Sequence, residues 1–243
     1  MKRVLVILIA VVVIGYIILS ANYFRNSSFD RVCAGFEVNI KDSLKTQFIT
    51  SLEVETLVKK YDLFPVGKSI KNINTLAIRD TILTNRLVKS ADVFITSKGT
   101  VMATVRQREP VIRVISNNKG SFYIDKDREI MPVASIFAVY VPVATGDIDE
   151  EFAKNELYDF AMFLNNNSDW DAWVEQIVVK SDNDVELIPR VGNFRIIMRS
   201  LEDYPIKLNK FARFVDGGLN VLGWNRYSEI NLKFGNQVVC TLK

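Results

Sequence analysis

The sequence predicts an α+β protein with a single transmembrane helix, a small β-α-α-β-β module, and then an antiparallel sheet flanked by helices. An apolar run without any charge opens the chain, from Val4 to Phe24. After this run, segments with the period of two of half-buried strands alternate with segments that have the helical apolar period. The 49% hydrophobic and 24% charged residues are typical of globular proteins, which excludes an intrinsically disordered body.

The amino-terminal apolar run predicts a retained membrane anchor, residues 4–24, because about 20 apolar residues cross a hydrocarbon core. The alternative is a cleaved signal peptide, which has a shorter apolar core and small residues at its exit. Lys2 and Arg3 place residues 1–3 in the cytoplasm as a short stub. Residues 25–35 are then a juxtamembrane linker, and everything beyond it is predicted to be periplasmic or extracytoplasmic.

The first module is predicted over residues 36–109. The stretch GFEVNI alternates apolar and polar residues, as a strand does. SLEVETLVKKY, with Ser51 as its N-cap, and NTLAIRDTILTNRL, from Asn74 to Leu87, have helical spacing. ADVFITSKGTVMATVRQREP predicts two strands around the turn at residues 97–99.

The second module is predicted over residues 110–243, since Pro110 marks a boundary between strands. Asp147 is predicted to cap a helix that buries one stripe of residues: Ala153, Leu157, Phe160, Ala161 and Leu164. EQIVVKSDNDVELIPR predicts a hairpin around residues 182–184. Pro205 to Val215 predicts a second amphipathic helix whose inward residues are Ile206, Phe211 and Phe214.

The closing stretch YSEINLKF predicts a strand from Ser228 to Phe234. Its period of two directs Ile230, Leu232 and Phe234 toward the core, and Tyr227, Glu229, Asn231 and Lys233 toward solvent. A final strand is often an edge that a partner segment can extend. The residues alone equally allow an ordinary terminal strand that is closed off by residues 235–241.

Histidine is absent from the whole sequence. This excludes a Ser-His-Asp triad, a Cys-His pair and any histidine metal site, and with them most hydrolases and zinc enzymes. The net charge of +3 is too small to indicate nucleic acid as the main partner. Cys33 and Cys240 are either a disulfide or two separate thiols.

Three patterns resemble functional motifs but favour structural roles. Ser116 to Lys119 and Ser181 to Asn183 match two motifs of penicillin-binding serine enzymes, but the third, Lys-Thr-Gly, is missing and the serine is predicted in a turn. The acidic residues of SDNDVE lack the glycine of a calcium loop. Trp170 and Trp173 could stack on sugar rings, but a core position is favoured. We therefore predict no catalytic residues, no metal and no cofactor.

The element order and five phrases of the predicted extracytoplasmic chain together resemble a known family. The β-α-α-β-β order after a single anchor resembles the POTRA domain. The ordered phrases VRQREPVIRV, YIDKDREIMPV, VPVATGD, VELIPRVGNFRIIM and EINLKFGNQVV resemble those of FtsQ/DivIB cell-division proteins. The chain is thereby identified as a member of that family by resemblance, with residues 110–243 as an FtsQ-type β-domain.

The resemblance implies a non-enzymatic scaffold at the division septum of the inner (plasma) membrane, coupled to peptidoglycan synthesis. It implies FtsB-like and FtsL-like partners on the second module and recruitment of other divisome proteins by the POTRA domain. It also favours the edge interpretation of the closing strand, whose partner-binding residues are then Tyr227, Ser228, Glu229, Ile230, Asn231, Leu232, Lys233 and Phe234. The alternative is a membrane-anchored protein that binds or modifies the cell wall and uses a POTRA-like spacer.

Overall fold

The computed structural model describes residues 9–21, 31–41, 47–134 and 138–243. It divides the chain into two compact units, the first ending at Gln107 and the second beginning at Arg108. The predicted cytoplasmic stub, both ends of the predicted anchor and residues 25–30 of the predicted linker lie outside the described residues.

Residues 9–21 form helix α1. Across the ranges that the structure describes, no helix has both the length and the apolarity that crossing a membrane requires.

After α1, the described part of the first unit is a three-stranded sheet with two α-helices. Its elements are β1 (Gly35–Lys41), α2 (Ser51–Lys60), a short 3₁₀ turn (Ile70–Asn72), α3 (Thr75–Leu83), β2 (Val88–Ile95) and β3 (Thr100–Gln107). The sheet order is β1-β3-β2, with β1 parallel and β2 antiparallel to β3. This confirms the predicted element order and the turn between the last two strands.

The helix ends in the first unit differ slightly from the prediction. Helix α2 is capped by Thr50 rather than Ser51, because Thr50 and Glu53 form a reciprocal capping box. Helix α3 is capped by Asn74 and ends at Leu83, four residues before the predicted Leu87. The side chain of Asn85 accepts a hydrogen bond from the Leu87 backbone N–H and so turns the chain into β2.

The described residues of the second unit form nine strands in one sheet. They are β4 (Pro110–Ser116), β5 (Gly120–Asp125), β6 (Ile130–Pro132), β7 (Val143–Gly146), β8 (Val174–Val179), β9 (Val185–Pro189), β10 (Arg195–Arg199), β11 (Tyr227–Asn231) and β12 (Val239–Leu242). The sheet order is β12-β11-β10-β9-β8-β7-β4-β5-β6.

The sheet is mixed, and the prediction of an antiparallel sheet was wrong in this respect. Strand β7 is parallel to β4 and β8, and β11 is parallel to β10. Parallel neighbours require a long crossover, which a helical segment commonly supplies. The segment between β10 and β11 contains helix α7 (Tyr204–Phe214), so it has the length for such a crossover.

The helices of the second unit share one core with alternate residues of the strands. They are α4 (Glu150–Lys154), α5 (Glu156–Asn166), α6 (Ser168–Trp173), α7, a π-helical turn (Val215–Leu219) and α8 (Asn220–Leu222). The predicted buried stripe from Ala153 to Leu164 is confirmed. The cap of its first helix is Asp149 rather than Asp147, and Asn155 divides the predicted single helix into α4 and α5.

Helix α7 confirms the second predicted amphipathic helix, with one inward residue misassigned. Phe211 is buried and Phe214 is partly buried, but Ile206 is 61% exposed. Leu208 occupies the buried position instead. The helix starts one residue earlier than predicted, at Tyr204, and Pro205 lies in its first turn, where a missing N–H costs no hydrogen bond.

Candidate partner-binding edge

The predicted edge strand, β11, has a neighbour on both sides. It pairs in parallel with β10 and antiparallel with β12. The prediction that Ser228 to Phe234 forms an edge was therefore wrong. The structure matches the alternative in which the following residues fold back against the strand. A proline at Asn231, which pairs with both Ile197 and Val239, would disturb the sheet itself and would not test an edge.

A β-bulge explains which residues of β11 face the core. Ile230 and Leu232 are fully buried, as predicted, but Tyr227 is buried too and packs edge-on against Phe214. The register with β12 shifts between Tyr227 and Glu229, so an extra residue, Ser228, lies between two inward positions. Such a bulge breaks the period of two on which the prediction relied.

The other residues of the predicted site lie at or beyond the end of β11. Phe234 is 37% exposed rather than buried. Lys233 is exposed and its ammonium lies over the Phe234 ring, 5.0 Å from the centroid. The Lys233 N–H donates to the Asn231 side chain, and the Ser228 hydroxyl donates to carbonyls of Thr241 and Leu242. The Lys233 contacts lie in the turn between β11 and β12, and the Ser228 contacts join the two strands at their other end.

One of the two edges of the sheet is β12, and the other is β6. Both are terminal strands of the sheet order among the strands that the structure describes. The Lys243 N–H donates to the Arg226 carbonyl on the β11 side. Because successive backbone N–H groups of a strand point to opposite sides, the N–H groups of Cys240 and Leu242 point away from β11. They are directed toward the open edge, where an added strand would pair.

The side chains of β12 are divided between the two faces of the sheet. Val239 is 41% and Leu242 is 58% exposed. Cys240 is half-buried and packs against the core opposite Ile230. Burial raises the pKa of the Cys240 thiol, so the group stays protonated and behaves as an apolar residue.

An ion-pair network crosses the strands beside this edge. The carboxylate of Glu186 on β9 is only 7% exposed and pairs with both Lys180 and Arg195. Arg195 on β10 also pairs with Glu229 on β11, its direct neighbour in the parallel register. Ion pairs between side chains of opposite charge therefore connect the three adjacent strands β9, β10 and β11. Glu229, predicted to face a partner, is instead engaged inside the sheet.

Lys210 of α7 fixes the end of β11. Its ammonium donates to the Leu232 carbonyl at 2.9 Å and also to the Phe234 carbonyl. One turn earlier on the same helix, Lys207 makes the equivalent contact with the carbonyl and hydroxyl of Ser200. Lys210 thus ties the turn before β12 to the helix, and it is a positioning residue for the edge.

Replacing Lys210 with methionine is expected to loosen the β11–β12 turn without unfolding the unit. Hydrogen bonds from a charged donor typically contribute about 1.5–3 kcal/mol, and partial exposure to solvent reduces this to about 1–2 kcal/mol here. Hydrogen exchange followed by mass spectrometry should show faster exchange of the backbone amides in residues 233–242.

Lys207→Met is the matched control, since it removes the same chemistry one turn away. It is expected to speed exchange near Ser200 but not in β12. Equal exchange in β12 for wild type and Lys210→Met, or the same increase in both variants, would show that Lys210 does not hold the edge.

The residues of the serine-enzyme motif are in a turn, as predicted. The Ser116 hydroxyl is buried and donates to the Ile148 carbonyl, and its oxygen accepts from the N–H groups of Asn118 and Lys119. The Lys119 ammonium lies 3.8 Å from the Glu150 carboxylate. All of these interactions stabilise the β4–β5 turn and its contact with the following helix.

The acidic residues of SDNDVE belong to the β8–β9 hairpin, as predicted. Asp182 lies in its 3₁₀ turn at a positive φ of 59°, and Glu186 takes part in the ion-pair network. The described ranges contain no group of three or more histidine, cysteine or acidic residues that could hold a metal. Cys33 and Cys240 are separate thiols, which is one of the two alternatives left open by the sequence.

Strand β12 is an element of the sheet that the sequence patterns did not predict. Its residues, Val239 to Leu242, lie in a run rich in β-formers, and the connection from β11, residues 232–238, contains Gly235-Asn236. Gly-Asn between two apolar runs is a recognised hairpin signal. The prediction instead placed this run in a closing segment without assigning it a strand.

The geometry defines a class of protein: a small sheet-and-helix module followed by a mixed-sheet module in which β12 is one of the two terminal strands. The chain belongs to the FtsQ/DivIB family, because the family model described as FtsQ/DivIB, C-terminal related, matches residues 109–241. A POTRA-like domain model matches residues 31–106. The family resemblance seen in the sequence is confirmed, and membership indicates a role in cell division. The comparison with curated proteins found no match.

Proposed function

We propose that this protein is a non-enzymatic divisome scaffold that binds partner membrane proteins of the FtsB and FtsL type by strand addition to β12. The observation that supports the proposal is that no described strand pairs with the outer side of β12. Val239 and Leu242 of this strand are exposed. An extended partner segment on such an edge gains main-chain hydrogen bonds, and alternate side chains supply specificity.

Three features of the second unit support a persistent binding edge rather than a fraying one. Lys210 anchors the preceding turn, the Ser228 hydroxyl bonds to β12 carbonyls, and the ion-pair network connects the strands up to β11. A partner strand therefore meets a strand that is already ordered, which lowers the entropic cost of binding. The eight residues first predicted as the partner site, Tyr227 to Phe234, then act mainly by supporting β12.

The remaining parts of the proposal follow from family membership and the sequence. Residues 4–24 are proposed as the anchor in the plasma membrane, with residues 1–3 cytoplasmic and residues 25–35 as a linker. Residues 36–109 are proposed as the POTRA module that helps recruitment to the septum. Residues 110–243 are proposed as the extracytoplasmic β-domain that couples its partners to peptidoglycan synthesis.

Crosslinking in living cells from β12 tests this proposal. A photoreactive amino acid at Val239 is expected to capture a single-pass division protein, with the crosslink inside an extended segment of that partner. The captured protein and the crosslinked residue are identified by mass spectrometry.

Val221 of α8 is the control position, because it is 74% exposed in the same unit but lies on a helix. Crosslinks to division proteins from Val239 and not from Val221 support the proposal. Capture of the same proteins from both positions, or of no division protein from Val239, would contradict it.

A further inference from the structure

A cleft separate from the sheet edge lies between α6 and α7. It has a volume of about 320 Å³, which is within the range of ligand sites in proteins. Its floor is apolar and includes Phe211, which is almost fully buried, and Val215. Trp170 and Trp173, both half-buried, complete the aromatic lining.

Packing holds the tryptophans of the cleft in place. Trp173 meets Phe211 edge to face, with ring centroids 5.6 Å apart, and stacks on Trp224 at 5.5 Å. Trp170 is tilted against Phe211 at 6.4 Å. Such pairs are stabilising, so the lining of the cleft is organised before any ligand arrives. Trp170 and Trp173 were predicted to be core residues, but each retains accessible surface and lines the cleft.

Two carboxylates at the cleft have no partner of opposite charge among the described residues. Asp169 and Asp216 both line it and are exposed, and neither forms an ion pair within the described ranges of the chain. Several other acidic residues of the same unit are paired, for example Glu186 with Lys180 and Asp125 with Arg108. The cleft therefore combines an apolar floor, aromatic rings and unneutralised negative charge.

We propose that this cleft binds an arginine side chain presented by a partner protein. The guanidinium is planar and always charged, stacks on aromatic faces and pairs with carboxylates in a fork geometry. Its aliphatic stem covers an apolar floor such as that of Phe211 and Val215. Asp169 and Asp216 supply the complementary charge, and Trp170 supplies the aromatic face.

The negative charge of the cleft favours an arginine side chain over an apolar side chain or a sugar ring. A purely apolar side chain would bury the floor but would leave both carboxylates without partners beside it. A sugar ring could stack on Trp170, but its hydroxyls would not neutralise the two charges. The cleft shares no lining residue with β12, so arginine binding here does not require strand addition at the edge.

Tryptophan fluorescence tests the proposal directly. The chain has three tryptophans, Trp170, Trp173 and Trp224, and all belong to this cluster, so the intrinsic signal reports on the cleft. The purified full-length chain is titrated with the pentapeptide acetyl-Gly-Leu-Arg-Leu-Gly-amide and with its citrulline counterpart, which keeps the shape but lacks the charge. The arginine peptide is expected to bind about tenfold more tightly.

The double variant Asp169→Asn, Asp216→Asn keeps all three fluorophores and is expected to abolish that difference. Glu151→Gln, which changes an exposed carboxylate of α4 outside the cleft, should leave it unchanged. Equal affinity for the two peptides, or an unchanged tenfold ratio in the double variant, would overturn the proposal. A saturable response to a chitin oligosaccharide without one to the arginine peptide would also overturn it and would assign the cleft to glycan.

Discussion

Replacing Gly146 with alanine is expected to prevent the second unit from folding. Gly146 ends β7 between Ser116 of β4 and Val179 of β8, in the interior of the nine-stranded sheet. Its φ of 118° is a conformation that L side chains rarely adopt. An added Cβ would overlap the carbonyl oxygen of Val179, which accepts a hydrogen bond from the Asp147 N–H.

The strain at Gly146 cannot be relieved locally. The overlapping atom belongs to the backbone of a neighbouring strand, so either β7 or β8 must move and lose ladder hydrogen bonds. The Gly146 carbonyl also accepts from the N–H groups of Asn117 and Ile148, which fixes the same peptide from its other side. Together these effects are expected to cost more than about 4 kcal/mol, comparable to the whole stability of many domains.

Thermal unfolding followed by near-ultraviolet circular dichroism measures this loss. Gly146→Ala should lack the cooperative transition of the tryptophan cluster. Gly217→Ala is the matched control, since a Cβ there meets no atom within 4 Å and its φ is not positive. It should unfold within a few degrees of wild type. A Gly146→Ala protein with that same behaviour would show that the sheet tolerates a side chain at this position.

The sequence predicted the elements of the fold well where local patterns decide the structure. The stripe from Ala153 to Leu164 and the hairpin around residue 182 each depend on neighbours within a few positions. Apolar periodicity and turn chemistry report such local constraints directly.

Sequence patterns did not predict the features of the fold that depend on contacts between distant parts of the chain. Strand β11 takes β10 as a parallel neighbour across a crossover that includes α7, and no local pattern encodes that choice. The bulge at Ser228 is likewise set by the pairing with β12, and it turned the predicted solvent-facing Tyr227 inward. The cleft at Trp170 was missed for a related reason, because Phe211 and Trp173 meet only after α6 and α7 have packed.

Replacing Cys240 with proline is expected to abolish binding of the partner at β12 while leaving the unit folded. The Cys240 N–H points to the open edge, so its removal breaks no hydrogen bond with β11. It does remove a donor that an added strand needs, and the proline ring occupies the space of that strand. We expect the affinity for the partner captured from Val239 to fall at least about 100-fold. Strand β12 has only four residues, so an added strand forms few hydrogen bonds with it and the loss of one is a large fraction of the total.

Cys240→Ala separates this backbone effect from the loss of the half-buried thiol, and it is expected to bind the partner within about threefold of wild type. Leu242→Pro repeats the test at the other outward N–H, where the side chain is 58% exposed and little packing is lost. Thr241→Pro should instead remove a hydrogen bond to β11 and speed amide exchange in both strands.

If Cys240→Pro and Leu242→Pro keep the circular dichroism spectrum of wild type and also its affinity, the partner does not bind by pairing with β12. Loss of affinity in both proline variants, with Cys240→Ala unchanged, would assign the contact to the backbone of this edge.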